Sequence, residues 1–175
     1  MDFILNEDQG MLRDTVRRIA EEKFAPIAAE IDEKETFPKA SVKVLAENGL
    51  LGVQIPETYG GAGAGMLAMV LVVEEIARVC AATSVILTTQ ALASDPLLLA
   101  GTEDQKKNFL YRLASGDCLG ACGITEPGAG SDVAGMKTTA KKVDGGYLLN
   151  GAKIFITNGG EAQIVTVLAY TDKDK

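Results

Sequence analysis

The chain has 175 residues, 47% of them hydrophobic and 23% charged, a globular balance that suits one domain or two small ones. The net charge of −7, from 17 Lys and Arg against 24 Asp and Glu, argues against a nucleic-acid partner, which needs a concentrated basic surface. With no His in the chain, Ser-His and Cys-His nucleophile pairs are excluded, and so are most zinc sites.

The cysteines Cys80, Cys118 and Cys122 form no C-x-x-C pair and read as buried free thiols in a reducing compartment. The N-terminus MDFILNEDQG is acidic, unlike a signal or transit peptide. The longest apolar run, Met66 to Val73, is too short to span a bilayer. A cytoplasmic protein is expected.

In chain order, Asn6 and Gln9 pattern as a capping box that opens a helix with Leu12, Val16 and Ile19 on one face. Pro26 should interrupt near its end, and a short helix should follow from Ala28 to Glu33. Pro38 can open another, with Val42 and Leu45 inward and Gly49 as its stop. Gly49 to Gly65, with QIPETYGGAGAG, reads as a long loop. The helix starting near Met66 is apolar on every side as far as Val73, which predicts a buried helix at the centre of a bundle. Glu74 and Glu75 would then mark its wet end. Ser84 to Ser94 reads as a further helix. Thr102 and Gln105 form a second capping box, opening a helix with Phe109, Leu110 and Leu113 inward and Gly116 at its end.

The period then changes. Strands are expected over Leu119 to Thr125, Lys137 to Val143, Tyr147 to Leu149, Lys153 to Thr157 and Ile164 to Tyr170. Asp144-Gly145-Gly146 is a hairpin signal and Asn158-Gly159-Gly160 a turn. The predicted fold class is α+β: an all-α helical bundle over residues 1–117, then the start of an antiparallel β domain over 118–175. So small a sheet needs cover, and the expectation is a chain that stops within a domain.

The stretch GITEPGAGSD, Gly123 to Asp132, has the look of a phosphate loop. It lacks the Gly-Lys-[Ser/Thr] of a Walker loop, because Ser131-Asp132 follow Gly130. It also fails the G-x-G-x-x-G fingerprint, whose third glycine falls on Val133, and a strand rather than a helix is expected next. What remains is a turn with exposed N–H groups and the Ser131 hydroxyl, able to bind phosphate or carbonyl without a cation. A plain β-turn is the competing reading.

Further along stands NGAKIFITNGG, Asn150 to Gly160. The pairing of TEPGAGSD with NGAKIFITNGG resembles the acyl-CoA dehydrogenases, flavoenzymes that place a double bond beside an acyl thioester. ETYGGAG (Glu57 to Gly63), VVEEIARVCAATSVIL (Val72 to Leu87) and GTEDQKKNFLYRLASGD (Gly101 to Asp117) are similar to further segments of the family, in order along nearly the whole chain. IAAEIDEKETFP and Thr83-Ser84-Val85 lean toward its short-chain, butyryl-CoA-like branch. The resemblance implies FAD as cofactor. Ile124 and Thr125 would bond the pyrimidine edge of the flavin, and Phe155, Ile156 and Thr157 would cover one face, with the Thr157 hydroxyl toward N5. Gly130 and Ser131 would meet the pyrophosphate, and Ser131 and Asp132 would border the coenzyme A part of the substrate. Cys122 departs from an aromatic residue that several relatives carry beside the ring.

The resemblance further implies a base, a Glu from a C-terminal helical domain, that this chain does not contain. Neither Glu126 nor Glu74 or Glu75 is assigned that role, so no catalytic residue is named. The expected function is the N-terminal portion of an enzyme that desaturates a short acyl-CoA and passes electrons to an electron-transfer flavoprotein. The resemblance implies a tetramer at full length, and the 175-residue chain alone is expected to be silent. The alternative is a cofactor-free helical interaction module.

Overall fold

The computed structural model of the chain describes residues 4–172. Helix α1 (Glu7–Ile19) opens on the expected capping box, with Asn6 and Gln9 exchanging side-chain and backbone bonds of 2.8 and 3.1 Å. Pro26 does not interrupt the helical path. It lacks the N–H that would reach back to the preceding turn, and the ladder widens into a π turn (Ala20–Phe24) just before it. The path continues as α2 (Ala25–Glu33), three residues earlier than the sequence suggests.

Helix α3 (Lys39–Glu47) follows Pro38. The loop that follows holds two short 3₁₀ turns, Leu50–Gly52 and Glu57–Tyr59. Helices α4 (Gly65–Ala77), α5 (Ala81–Ala100) and α6 (Glu103–Ser115) complete the helical part. The second capping box, Thr102 with Gln105, opens α6, and Gly116 closes it in the left-handed conformation at φ 82°. Helix α5 runs well beyond the Ser84 to Ser94 segment and contains Pro96.

The main core joins Val16, Phe24, Leu45, Val72, Ile76, Ile86 and Leu87. A second cluster lies under α6, built on Ile55, Leu110 and Leu113. The centre is α5, not α4. Only one side of α4 is buried; Met66, Leu67 and Val70 remain 57%, 52% and 52% exposed. An all-apolar run therefore reported composition rather than burial. At the end of that run the two acids differ: Glu74 is exposed, as expected, and Glu75 is not. Glu75 is 4% exposed, held by the Arg17 guanidinium through bonds of 2.8 and 2.7 Å and by Arg78 at 2.9 Å.

Among the described residues, four short strands follow: β1 (Gly120–Gly123), β2 (Thr139–Val143), β3 (Gly146–Asn150) and β4 (Ile164–Val167). The hairpin signal is met, since β2 and β3 pair antiparallel around Asp144-Gly145. The other ladder differs from the expected antiparallel sheet, because β1 pairs with β4 in parallel. A parallel pair needs a long connection, and the chain between the two strands supplies it. Lys153 to Thr157 forms no strand. Phe155 stands there at φ 56°, outside the β region.

Helix α5 carries the β1–β4 ladder. The Gln90 side chain accepts from Gly120 N–H at 2.8 Å and donates to the carbonyls of Leu113 and Cys118 at 2.7 and 3.1 Å. The Thr166 hydroxyl donates to the Ala93 carbonyl at 2.9 Å. Buried polar groups are thereby satisfied across the seam between helices and strands.

Candidate functional site

The end of β1 and the irregular segment after β3 meet beside α5. Between them lies a hollow of about 180 Å³ lined by Thr89, Leu92, Cys122, Ile124, Thr125, Phe155, Ile156 and Thr157. Five of the seven residues proposed for the cofactor from sequence therefore share one cavity, although they come from segments some thirty positions apart. Phe155 is 89% exposed and rises from the rim instead of packing in a core. Its left-handed backbone turns the side chain out of the path a strand would give it.

One backbone bond links the two segments directly, Ile154 N–H to the Thr125 carbonyl at 3.0 Å. The rest of the link is ionic. Lys153 Nζ donates to the Ile124 carbonyl and to Glu126 Oε1, both at 2.8 Å. The Glu126 carboxylate also accepts from the N–H groups of Lys137 at 2.6 Å and Thr138 at 2.9 Å. These donors, the Lys153 ammonium first, hold Glu126 well below the usual carboxylate range. Glu126 and Lys153 are almost fully buried, with side chains 6% and 10% exposed.

The glycine loop lies apart from the hollow. Glu126 and Ala129 exchange backbone bonds of 2.9 and 3.1 Å and form the tight turn at Pro127-Gly128. Gly130, Ser131 and Asp132 are exposed, and none of them lines the hollow. Asp132 caps the 3₁₀ turn Val133–Gly135, accepting from Gly135 N–H at 3.1 Å.

A second cavity opens beside the hollow along α5. It is an apolar groove of about 360 Å³ between α4 and α5, lined by Met66, Met69, Val70, Val73, Thr88, Ala91, Leu92 and Asp95. Leu92 belongs to both cavities, so the two adjoin. Asp95 accepts from Gln54 Nε2 at 2.8 Å, and burial pushes its carboxyl above the ordinary range. Among the described residues no carboxylate lines the hollow itself.

Two family models match in tandem: the N-terminal domain of acyl-CoA dehydrogenase over residues 6–117, and its middle domain over residues 121–175. The chain belongs to the acyl-CoA dehydrogenase family. It is 44% identical, over 100% of its length, to 46% of the acyl-CoA dehydrogenase, short-chain specific, of Clostridium acetobutylicum. The butyryl-CoA dehydrogenase structure from Megasphaera elsdenii superposes with a TM-score of 0.92 at 42% identity, covering 100% of this chain and 47% of that one. A chain in a structure of the electron transferring flavoprotein of Acidaminococcus fermentans superposes at 0.94 with 42% identity, over 99% of this chain and 46% of that one. The chain thus spans about half the length of these relatives.

The donors at the hollow suit the flavin that acyl-CoA dehydrogenases carry. The backbone N–H groups of Ile124, Thr125 and Thr157, and the hydroxyls of Thr125 and Thr157, make no hydrogen bond to another described residue. Unpaired donors beside an apolar wall match a planar ring whose edge carries carbonyls and ring nitrogens. The hollow, at about 180 Å³, has room for only part of such a ring. Thr89 and Leu92 are not among the residues assigned to the cofactor from sequence, and their approach depends on how α5 packs under β1. Lys153 was not foreseen as a partner for Glu126. The signal was present in NGAKIFIT, where Lys153 is a lone cation in an apolar run.

Proposed function

We propose that this chain is the N-terminal portion of an FAD-dependent acyl-CoA dehydrogenase acting on a short-chain acyl-CoA. The observation that carries this reading is the meeting of Ile124-Thr125 with Phe155-Ile156-Thr157 around one hollow rimmed by unpaired donors. The proposed division puts a helical domain in residues 1–117 and the start of the β domain in 118–175, in line with the matched ranges.

When bound, FAD would take up the hydride lost from the β-carbon as the α,β double bond forms. The chain's own residues bind and orient. The N–H groups of Ile124 and Thr125 would hold the pyrimidine edge, where charge builds on reduction. The Thr157 hydroxyl would face N5. Phe155, exposed on the rim, would cover one ring face and exclude water. Gly130 and Ser131 would meet the pyrophosphate, and Ser131 and Asp132 the coenzyme A part of the substrate. A short acyl chain would lie against Leu92 in the apolar groove, next to the hollow.

Removal of the α-proton needs a base held at that carbon. With Glu126 locked to Lys153 and no carboxylate lining the hollow, the described residues do not supply one. The base would come from another part of the enzyme, and this chain alone would not turn over. Transfer of electrons to an electron-transfer flavoprotein is the proposed onward step.

The test is a visible absorption spectrum after incubation with FAD and desalting. A retained flavin band is expected. A colourless protein would remove the support for a flavin site within this chain.

A further inference from the structure

Nothing in the sheet fixes the width of the hollow. Its floor follows β1, whose ladder partner is β4. Its rim, Phe155 to Thr157, lies in a segment without strand pairing. Among the described residues, only the bond from Ile154 N–H to the Thr125 carbonyl joins the two by backbone, and Asn158 Nδ2 reaches the Gly120 carbonyl at 3.0 Å from the far end. The remaining tie is the Lys153 ammonium, which grips Ile124 and Glu126 together. Glu126 is fixed in turn by the Lys137 and Thr138 N–H groups at the entry to β2.

We infer that Glu126 and Lys153 are positioning residues for the cofactor: their buried ion pair sets the spacing between Ile124-Thr125 and Phe155-Thr157. This rests on the flavin reading above. Neither side chain lines the hollow, so both act through the backbone they hold. The Lys153 stem crosses from the rim segment, and its head group satisfies a carbonyl one residue before Thr125. Two charges out of water must be matched closely, which makes the pair stiff in length and direction. A sheet bond would allow the rim to slide in register, whereas this tie does not. Glu126 also accounts for a TEP acid that the chemistry leaves without a role.

The inference is tested on the whole chain with Lys153→Met, Glu126→Gln and the double variant. Two quantities are read. One is amide exchange by NMR at Ile154, whose N–H closes the gap, measured without flavin. The other is the Kd for FAD from quenching of flavin fluorescence. Both single variants should speed exchange at Ile154 at least tenfold and weaken FAD binding about tenfold or more. Exchange in α1, α5 and α6 should be unchanged. The double variant leaves no unpaired buried charge and should recover thermal stability, yet it should still bind FAD weakly. That split would not arise from a merely structural pair.

FAD affinity that returns with stability in the double variant would overturn the inference. So would fast exchange at Ile154 with wild-type affinity, or unchanged exchange in both single variants. A wild-type chain that binds no FAD would overturn the flavin reading instead, and exchange at Ile154 would still decide whether the ion pair holds the gap.

Discussion

Gln90 and Gly120 are joined by a 2.8 Å hydrogen bond from the strand's N–H to the side-chain oxygen of the helix. The same amide donates to Leu113 and Cys118, so one 1%-exposed side chain satisfies three backbone groups. Gln90→Leu keeps the volume and removes all three partners. Orphaned buried groups cost about 1–3 kcal/mol each, and the variant should lose about 3 kcal/mol or more in urea unfolding. Gly120→Ala should also destabilise, because its new methyl would run into the Ala93 Cβ on α5. Wild-type stability in either variant would mean that the β1 end is not anchored on α5.

Acid stability should follow Glu75 and Glu126. Arg17 first, and then Arg78, hold Glu75 below its ordinary value of 4.5, and Glu126 is held lower still by Lys153. A depressed carboxylate contributes stability above the unfolded-state value and loses it as pH falls through the folded one. The melting temperature should therefore stay level from about pH 7 to 5 and fall steadily below about pH 4. Glu75→Gln should melt lower than wild type near neutrality, and the gap should close in acid. Parallel curves at all pH values would contradict the pairing.

Asp95 has the opposite sign. Burial raises its carboxyl, so the fold works against its ionised form at neutral pH. Asp95→Asn keeps an acceptor for Gln54 Nε2 and should raise the melting temperature by about 2 °C at pH 7. The gain should shrink as the medium becomes acid. A lower melting temperature would show that the charge is paired favourably.

Thr157→Val removes a hydroxyl that has no partner among the described residues. Folding should not notice, since Thr157 is exposed. FAD binding should weaken by about threefold to tenfold, the range of one neutral hydrogen bond. Calorimetry of the two proteins with FAD checks this, and equal Kd values would remove Thr157 from the flavin contacts.

Much of the architecture was legible because its signals are local. Both capping boxes, the stop at Gly116 and the Asp144-Gly145 hairpin are set by a few adjacent residues. What failed depended on partners distant in sequence. The parallel pairing of β1 with β4 brings together residues forty-four positions apart, as with Gly120 and Ile164. The uncovered side of α4 reflects what packs against it, and its own run of Met66 to Val73 carries no sign of that. KIFIT is a short apolar run that reads as a strand, yet a left-handed Phe155 breaks it. The residues assigned to the flavin ring did come together, on the strength of two motifs read as a pair. Gly130, Ser131 and Asp132 stayed outside the hollow on their exposed loop.

The most direct test of the flavin wall is an NMR titration of the ¹⁵N-labelled chain with FAD. The largest amide shifts should fall on Ile124, Thr125, Ile156 and Thr157, with smaller ones at Gly130 and Ser131. Shifts absent from both segments, or confined to the helices away from α5, would contradict the flavin reading.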